Sequence, residues 1–363
     1  MILGFLLAVA YDPYIFNAAT TPRWALLAAV LPAACMFRSP SHCTMLHLIG
    51  TLFLAWTITT LAWTPNLPDA FGSLIRLAIL AMAFMYGTTI RLDRLFAGLA
   101  LGLMISSLIV MSPLKEFFPH PLVSIENEGL FGNRNMLAEA AVLTLIGCIA
   151  YRAWIFIPGL APAILIQPIS RGALLGGLVA FGSWLWSRSR PACAAYFILL
   201  CIGTAAYLEF TPRSMASTEE RLQLWQGTIA GLSVFGHGIG SFYTLFPFLT
   251  SHWDMTLIRP EHAHNDLLEI AFETGLIGAI LSALFAITAI GMADTKERAI
   301  LVAFLTIGLF SFPISIATTG FIAAIVAGHV AGRGASLRIV SLRLRMALRP
   351  WLRGHHSLER QSA

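Results

Sequence analysis

Long apolar runs separated by short polar breaks cover most of the chain. Most of these runs are close to the roughly 20 residues that a helix needs to cross about 30 Å of hydrocarbon. The alternating pattern of a membrane β-barrel is absent, so helices must satisfy the backbone in lipid. The pattern therefore predicts an all-α fold, a polytopic transmembrane helix bundle. Its twelve predicted spans lie at about 1–16, 23–37, 44–63, 72–90, 92–111, 135–151, 153–168, 171–187, 191–209, 264–290, 298–314 and 317–332.

Composition supports this fold class. The 363 residues are 57% hydrophobic and 11% charged, whereas soluble domains carry about 25% charged residues. The mean hydropathy is +0.77. The five cysteines form no CxxC pair, so they predict neither a zinc site nor a disulfide framework.

Positive charge predicts the orientation in the membrane. With both termini in the cytoplasm, eight of the 23 lysines and arginines fall in inner loops and seven more in residues 333–363. We expect a multi-pass protein of the bacterial inner membrane with a basic cytoplasmic tail at 333–363. The tail mixes arginine with apolar residues, which suits contact with anionic lipid rather than nucleic acid, either as an amphipathic helix or as a solvated segment. The first run, 1–16, can instead be the end of a signal peptide, which leaves the predicted orientation unchanged.

The largest hydrophilic stretch, residues 210–263, separates the ninth and tenth predicted spans. Within it, residues 217–232 have an amphipathic helical period, so we expect a helical periplasmic flap on a transmembrane domain of residues 1–332. The glycines of "GHGIGSF", residues 236–242, predict a sharp turn. No strand precedes them, so a dinucleotide fingerprint is not indicated.

Arg171 and Arg221 fall at the outer face under this topology. Arg171 follows Ser170 at the start of an apolar run, where it is either a snorkelling anchor or a ligand-binding group at the edge of a cavity. Arg221, in "EERLQLW", is either a solvated charge paired with a neighbouring glutamate or part of the same site. A guanidinium offers a planar fork of donors that suits phosphate oxygens and keeps its charge at ordinary pH.

Arg134 maps to the same outer face. It stands between Asn133 and Asn135, either of which can cap the following helix, and Asn135 is a candidate supporting residue. Three arginines on one side of the membrane can hold a diphosphate without a metal ion.

"EHAHNDLLEIAFETGLIG", residues 261–278, carries the second candidate chemistry. A continuous helix would place His264 on one face with Leu268, Ala271, Gly275 and Gly278, and would place His262 with Asp266, Glu269 and Glu273 on another. An imidazole with an unperturbed pKa near 6.5 suits a general base at neutral pH, which makes His264 the candidate catalytic residue. His262, Asn265 and Glu273 are candidate supporting residues. The alternative is a pair of histidines that caps a helix and contacts lipid headgroups. A zinc site is less favoured, because no spaced third ligand follows.

Five ordered segments resemble one family. His264 and Asn265 stand nine residues before Gly275-Leu276-Ile277-Gly278, which resembles the HN-x9-GxxG signature of the O-antigen ligase and O-antigen polymerase superfamily, including bacterial protein O-oligosaccharyltransferases. The segments "GLFGNRNMLAE", "SRGALLG", "ERLQLWQGTI" and "GHGIGSF" are similar to others of that superfamily, in the same order. The resemblance covers about residues 125–290.

The resemblance implies a membrane glycosyltransferase that needs no metal or other cofactor and works at the periplasmic face. It implies an undecaprenyl-diphosphate-linked glycan as donor, with His264 catalytic and Arg171 and Arg221 binding the diphosphate. The acceptor is another lipid-linked glycan in polymerases, lipid A-core in ligases, and a protein serine in the oligosaccharyltransferases. Ala279 and Ile280 stand where ligases often have threonines, which favours a polymerase. From another class, a transporter or flippase for an anionic lipid-linked sugar is the alternative, and it would require ionisable groups near mid-membrane on broken helices.

Overall fold

Every regular element in the described part of the chain is helical, which confirms the predicted all-α class. The computed structural model describes residues 1–12, 19–36, 43–112, 129–165, 170–210, 216–249 and 260–334. Its α-helices are α1 (Ile2–Val9), α2 (Thr20–Met36), α3 (Met45–Thr59), α4 (Leu67–Gly87), α5 (Leu92–Met111), α6 (Arg134–Ala150), α7 (Ile157–Leu165), α8 (Arg171–Trp186), α9 (Arg190–Phe210), α10 (Ala216–Ala230), α11 (Phe242–Leu249), α12 (Asp266–Met292), α13 (Thr295–Gly308) and α14 (Ala317–Arg333). Short 3-10 helices cover Thr60–Trp63, Gly129–Phe131 and Trp154–Phe156.

Each of the twelve predicted runs overlaps one α-helix, and α10 and α11 fall within the predicted flap. Among the described residues, four helical segments are both long and apolar enough to cross a membrane: Met45–Trp63, Leu67–Gly87, Leu92–Ile109 and Asp266–Met292. These four indicate a membrane protein. Other helices are shorter; the eight residues of α1 span only about 12 Å. The ends of the first, second and seventh predicted runs (13–16, 37 and 166–168) and tail residues 335–363 lie outside the described residues.

Close helix pairs build the bundle. α12 packs on α3, α14 on α4, α8 on α13 and α1 on α5. Glycines determine how closely the helices of several pairs approach each other. A side chain at Gly87 or Gly328 would overlap the backbone of the partner helix in the α4–α14 pair. Small residues let membrane helices approach in this way and gain packing contacts between their backbones.

A buried arginine fixes the first two helices to the rest of the bundle. Arg23, on α2, is 2% exposed, and its guanidinium donates to the carbonyl oxygens of Leu7 (2.9 Å), Ala8 (3.1 Å), Ala19 and Leu130 (3.0 Å). The carbonyls near the end of α1 lack helical partners, so these bonds satisfy groups that would otherwise be orphaned. Arg23 is therefore a saturated structural group.

Helix α12 is broken at Gly275, whose φ of 71° and ψ of −172° lie outside the helical region. The segment 234–238 fills the break. Val234 accepts from the Leu276 N–H (3.0 Å), and the N–H groups of His237 and Gly238 donate to the carbonyls of Phe272 (3.0 Å) and Glu273 (2.8 Å). The three glycines of 236–242 have positive φ, as the predicted sharp turn requires. This interlock joins the flap to the N-terminal part of α12.

A charge cluster lies at the other end of α12. Arg333, at the end of α14, bridges Asp294 (2.9 Å) and Glu297 (3.0 Å), which stand at the start of α13. Tyr151, just after α6, donates its hydroxyl to Glu297 Oε1 (2.6 Å). The cluster ties together the ends of α6, α13 and α14.

Candidate functional site

The N-terminus of α12 is fixed by Asn265. Its Oδ1 accepts the Leu268 N–H (3.1 Å), the usual role of an N-cap asparagine, and its Nδ2 donates to the Leu309 carbonyl (3.3 Å). Asp266 Oδ2 accepts the Ile314 N–H (3.2 Å). These bonds dock the turn between α13 and α14, residues 309–316, onto the start of α12.

The predicted helical face for His264 was wrong. α12 begins at Asp266, and His264 lies before the cap residue with φ of 51°, a left-handed conformation. The break at Gly275 also ends the regular period that would align Gly275 and Gly278 with it. For a non-glycine residue this conformation costs roughly 1–2 kcal/mol, and such strain persists only where surrounding contacts enforce it.

The contacts that enforce it come from Glu269. One carboxylate oxygen of Glu269 lies 2.8 Å from His262 Nδ1, and the other accepts the Ala263 N–H at 2.8 Å. The two residues before His264 are therefore clamped to the first turn of α12. Burial acts to lower the pKa of His262, but its pairing with Glu269 outweighs this and raises the pKa above the usual value.

His264 is half-buried with an unsatisfied ring nitrogen. Its Nδ1 is buried and has no hydrogen-bond partner among the described residues. Its ring is T-shaped to the ring of Phe312, with centroids 5.0 Å apart, while His262 stacks on the same ring at 4.3 Å. Burial, Arg221 and His262 together lower the pKa of His264 to about 4, so the imidazole is neutral at neutral pH. A neutral imidazole can accept a proton.

Arg221 reaches this segment from α10. Leu224 on the same helix face joins a small buried core with Phe242, Phe246, Ala263 and Phe272. Trp225, one helical turn after Arg221, donates its Nε1–H to the Ala263 carbonyl at 3.1 Å. This bond and core hold α10 against the residue that precedes His264, which explains why Arg221 lies near the imidazole.

Arg221 has mixed surroundings, with one cation and two carboxyl groups in its field. Its guanidinium is repelled by Arg171 and disfavours a charge on His264. Glu139 and Glu220 attract the same guanidinium. Burial lowers the pKa of Arg221, and Arg171 acts in the same direction. Arg221 thus links a second guanidinium, Arg171, with a neutral imidazole, His264, and two guanidinium groups supply the planar donors that suit an anion such as a phosphate.

The structure brings His264 and Arg171 to Arg221 but does not join Arg134 to them. Arg171 is exposed at the first position of α8, after the cap residue Ser170. Arg134 is exposed at the first position of α6, and no interaction in the described part of the chain links it to the other two arginines. Asn133, rather than Asn135, caps α6; the Asn135 N–H donates to the Asn133 side chain at 2.8 Å.

Glu273 holds the glycine turn in place. It is 9% exposed, and its Oε1 accepts the Phe242 N–H at 3.2 Å. The side chain therefore fixes the start of α11 against α12, close to the buried core that orients Ala263. Its position supports the site through the backbone of the flap.

The sequence interpretation missed Glu139 and Arg76. Glu139, on α6, is 1% exposed, and its carboxylate lies near Arg221 and Asp266. Arg76, on α4, lines a cavity of about 450 Å³ that also contacts His262, Glu269 and Glu273. Both residues interrupt apolar runs, and an ionisable group inside a predicted span is the signal that would have found them.

Chemically, the arrangement offers two adjacent cations and a neutral proton acceptor at one end of the bundle. Groups of three or more His, Cys, Asp or Glu side chains with metal-binding geometry are absent from the described residues. Comparison of the chain with protein-family models finds no match, and comparison with curated proteins finds none either.

Proposed function

We propose that this protein is a membrane glycosyltransferase of the O-antigen polymerase and ligase type. It takes a glycan from an undecaprenyl-diphosphate carrier at the periplasmic face of the bacterial inner membrane. The observation that carries the proposal is the position of Arg221, which interacts with both His264 and Arg171. The proposal includes the twelve-span topology and a periplasmic position for the flap, 210–263.

Arg171 and Arg221 bind the donor diphosphate. Two guanidinium forks can each bind phosphate oxygens, and like charges held close together are stabilised when a dianionic group binds between them. Among the described residues, no hydrogen bond of the Arg221 guanidinium is present, so its donors are available to a ligand. Arg134 lies apart from this pair and has a peripheral role at most.

His264 accepts the proton of the acceptor hydroxyl. The hydroxyl oxygen forms a bond to the anomeric carbon of the donor sugar, and the bond from that carbon to the diphosphate oxygen breaks. The electron pair leaves with undecaprenyl diphosphate, and the proton passes to His264 and then to water. Positioned cations beside the leaving oxygen stabilise the charge that grows there.

The bound diphosphate also prepares the base. Burial and, after it, the charge of Arg221 lower the pKa of His264 in the free protein. An anionic diphosphate on the arginines offsets that repulsion and raises the pKa toward the value that suits a general base. Donor binding therefore makes His264 a stronger proton acceptor.

Within this class we favour a polymerase that extends a lipid-linked glycan, with transfer to lipid A-core or to a protein as the alternative. The lipid-linked glycans that accumulate in cells lacking the protein distinguish a polymerase from a ligase. Loss of a ligase leaves full-length chains on undecaprenyl diphosphate, whereas loss of a polymerase leaves single repeats attached to the normal acceptor.

The broken α12 favours a second candidate, a transporter or flippase. Carriers bind substrates at interrupted helices, and Gly275 interrupts α12 next to the buried carboxylate of Glu273. A carrier moves the lipid-linked sugar without breaking a covalent bond, so product formation by the purified protein separates the two functions.

The test uses the purified full chain, a synthetic undecaprenyl-diphosphate glycan and candidate acceptors, scored for extended lipid-linked product against transfer to lipid A-core. His264→Ala should reduce the rate by about 10² to 10⁴, the usual contribution of a positioned base. His329→Ala, at the opposite end of the bundle beside Glu297, is the matched control and should retain activity. Full activity of His264→Ala would remove its catalytic role, and flipping without transfer would favour the carrier.

A further inference from the structure

A cavity of about 450 Å³ lies between α3, α4, α12 and the start of α11. Its volume is within the range of small-molecule sites. Glu261 and Tyr243, which are exposed, stand at its rim, while Phe242 and Thr274 on its wall are buried. Arg171, Arg221 and His264 are not among its lining residues. It is therefore a compartment separate from the two arginines.

Two helix faces supply its polar wall. Asp69, Ser73 and Arg76 follow one another at turn spacing on α4, and Glu269 and Glu273 do so on α12. Both helices are apolar enough to span a membrane, and Arg76 is the tenth residue of its segment. A charged group placed there is costly and marks a functional site by default.

The charges of this wall select against an anion. The lining includes five carboxylate side chains, whereas its ionisable nitrogen groups are Arg76 and His262. Acidic side chains outnumber basic ones here, so a diphosphate would be repelled by those that are ionised. An uncharged ligand with many hydroxyl groups meets no such repulsion, because each carboxylate accepts hydrogen bonds from hydroxyls.

Three of these carboxyl groups, Asp69, Glu269 and Glu273, have capacity left for such bonds. Asp69 accepts from Asn66 Nδ2 (2.7 Å), Glu273 from the Phe242 N–H, and Glu269 from His262 and Ala263. A carboxylate has about four acceptor positions, so further donors can be received. The Arg76 guanidinium makes only long contacts within its own helix, to the Gly72 carbonyl and Ser73 Oγ at 3.4 Å each, among the described residues. Phe53, Phe242 and Tyr243 add apolar faces suited to the C–H faces of a sugar ring.

From this lining we infer that the cavity binds a neutral sugar, and that this sugar carries the hydroxyl that accepts the transferred glycan. The inference rests on the proposed glycosyltransferase function. His262 lines the cavity and stacks on Phe312, whose ring also contacts His264. The wall of the sugar site is thus shared with the segment that carries the base, and the anionic donor and the neutral acceptor occupy compartments of opposite charge.

The test measures binding apart from transfer. Thermal unfolding of the purified full chain in detergent is followed with a panel of neutral methyl glycosides and disaccharides, and with inorganic pyrophosphate as the anionic probe. At least one neutral sugar should stabilise the protein. Arg76→Gln and Asp69→Asn should each raise the Kd of that sugar about tenfold or more, since a hydrogen bond to a charged group contributes about 1.5–3 kcal/mol. Neither variant should change the binding of pyrophosphate. Arg221→Gln should weaken it.

Arg91→Gln is the matched control, because Arg91 pairs with Asp93 in an exposed position outside the cavity. Unfolding midpoints without ligand show whether each variant folds, and Asp69→Asn keeps the test informative if Arg76→Gln does not. The inference is overturned if no sugar of the panel binds, or if binding survives both cavity variants. Sugar binding sensitive to Arg76→Gln in a protein that transfers no glycan would support the cavity site and reject the proposed function. An active Arg76→Gln variant with a normal acceptor KM would support the proposed function and reject the cavity site.

Discussion

The two ends of α12 carry ionisable clusters of opposite character. At the C-terminal end, Arg333 bridges Asp294 and Glu297, and Tyr151 donates to the same glutamate. At the N-terminal end, Arg221 interacts electrostatically with Arg171 and with the imidazole of His264, whose Nδ1 has no partner in the described part of the chain. About 40 Å of helix separates the clusters if the break is neglected.

The difference separates structural charge from functional charge. Opposite charges that satisfy one another hold helix ends together and have little left for a ligand. Like charges held close together destabilise the free protein. An anionic ligand that binds between them removes this repulsion. The end with paired opposite charges is therefore expected to affect stability, and the end with the two arginines is expected to affect activity.

The largest effect after loss of His264 should come from the arginines. Arg221→Gln should lower the transfer rate by about 10² to 10³, the usual loss when a donor to a developing oxyanion is removed. Arg333→Gln should leave the rate within about threefold but lower the free energy of unfolding by about 1–3 kcal/mol, since Glu297 keeps a buried carboxylate without its cation. Steady-state kinetics measures the transfer rate of both variants, and denaturant titration measures their free energy of unfolding. Equal kinetic losses in both variants would erase the proposed difference between the two ends.

The pH dependence of transfer should sharpen the comparison. His264 must be neutral to accept a proton, and its pKa in the free protein is lowered to about 4. The acid limb of kcat/KM, which reports the free enzyme, should therefore lie near pH 4, while the limb of kcat should lie at higher pH because bound diphosphate offsets Arg221. In a residually active Arg221→Lys variant the limbs should stay in this order. Coincident limbs for kcat and kcat/KM would contradict the role of donor charge.

The smallest effects should come from two glycines of α12. Gly275 has φ of 71°, and a side chain there would overlap the Val234 carbonyl, so Gly275→Ala should lower the free energy of unfolding by about 1–3 kcal/mol and slow transfer. Gly291, near the C-terminus of the same helix, has open space around it. Gly291→Ala should be neutral or stabilising by up to about 1 kcal/mol. Thermal unfolding of both variants checks this, and similar destabilisation at the two positions would show that the break is unimportant.

Most of the helices were predictable because each apolar run has the length and the flanking residues of one helix. The run at 72–90 corresponds to α4, whose start at Leu67 is set by the cap residue Asn66. The first run carries a local signal for an early end of α1, because Asp12 and Pro13 interrupt it. The sequence did not reveal that Arg23, a residue on another helix, binds the last carbonyls of α1, since long-range contacts of this kind leave no local pattern.

The candidate site was predictable only in part. The ordered motifs predicted Arg171, Arg221 and His264 as neighbours, and the structure brings both other groups to Arg221. Helical periodicity assigned His264 to a helix face because Glu269, which clamps the preceding residues, acts through tertiary geometry. Arg76 was overlooked because a single charge in an apolar run does not show which side chains from other helices surround it.

The ring of Phe312 contacts both histidines, stacked with His262 and in a T-shaped arrangement with His264. A ligand that displaces His262 would therefore act on a ring that also contacts His264. If the two proposed compartments bind their ligands, this shared contact is a route by which each changes the dissociation constant of the other by the same factor. An aliphatic side chain at position 312 should weaken that linkage, while the clamp of Glu269 on the same segment would remain.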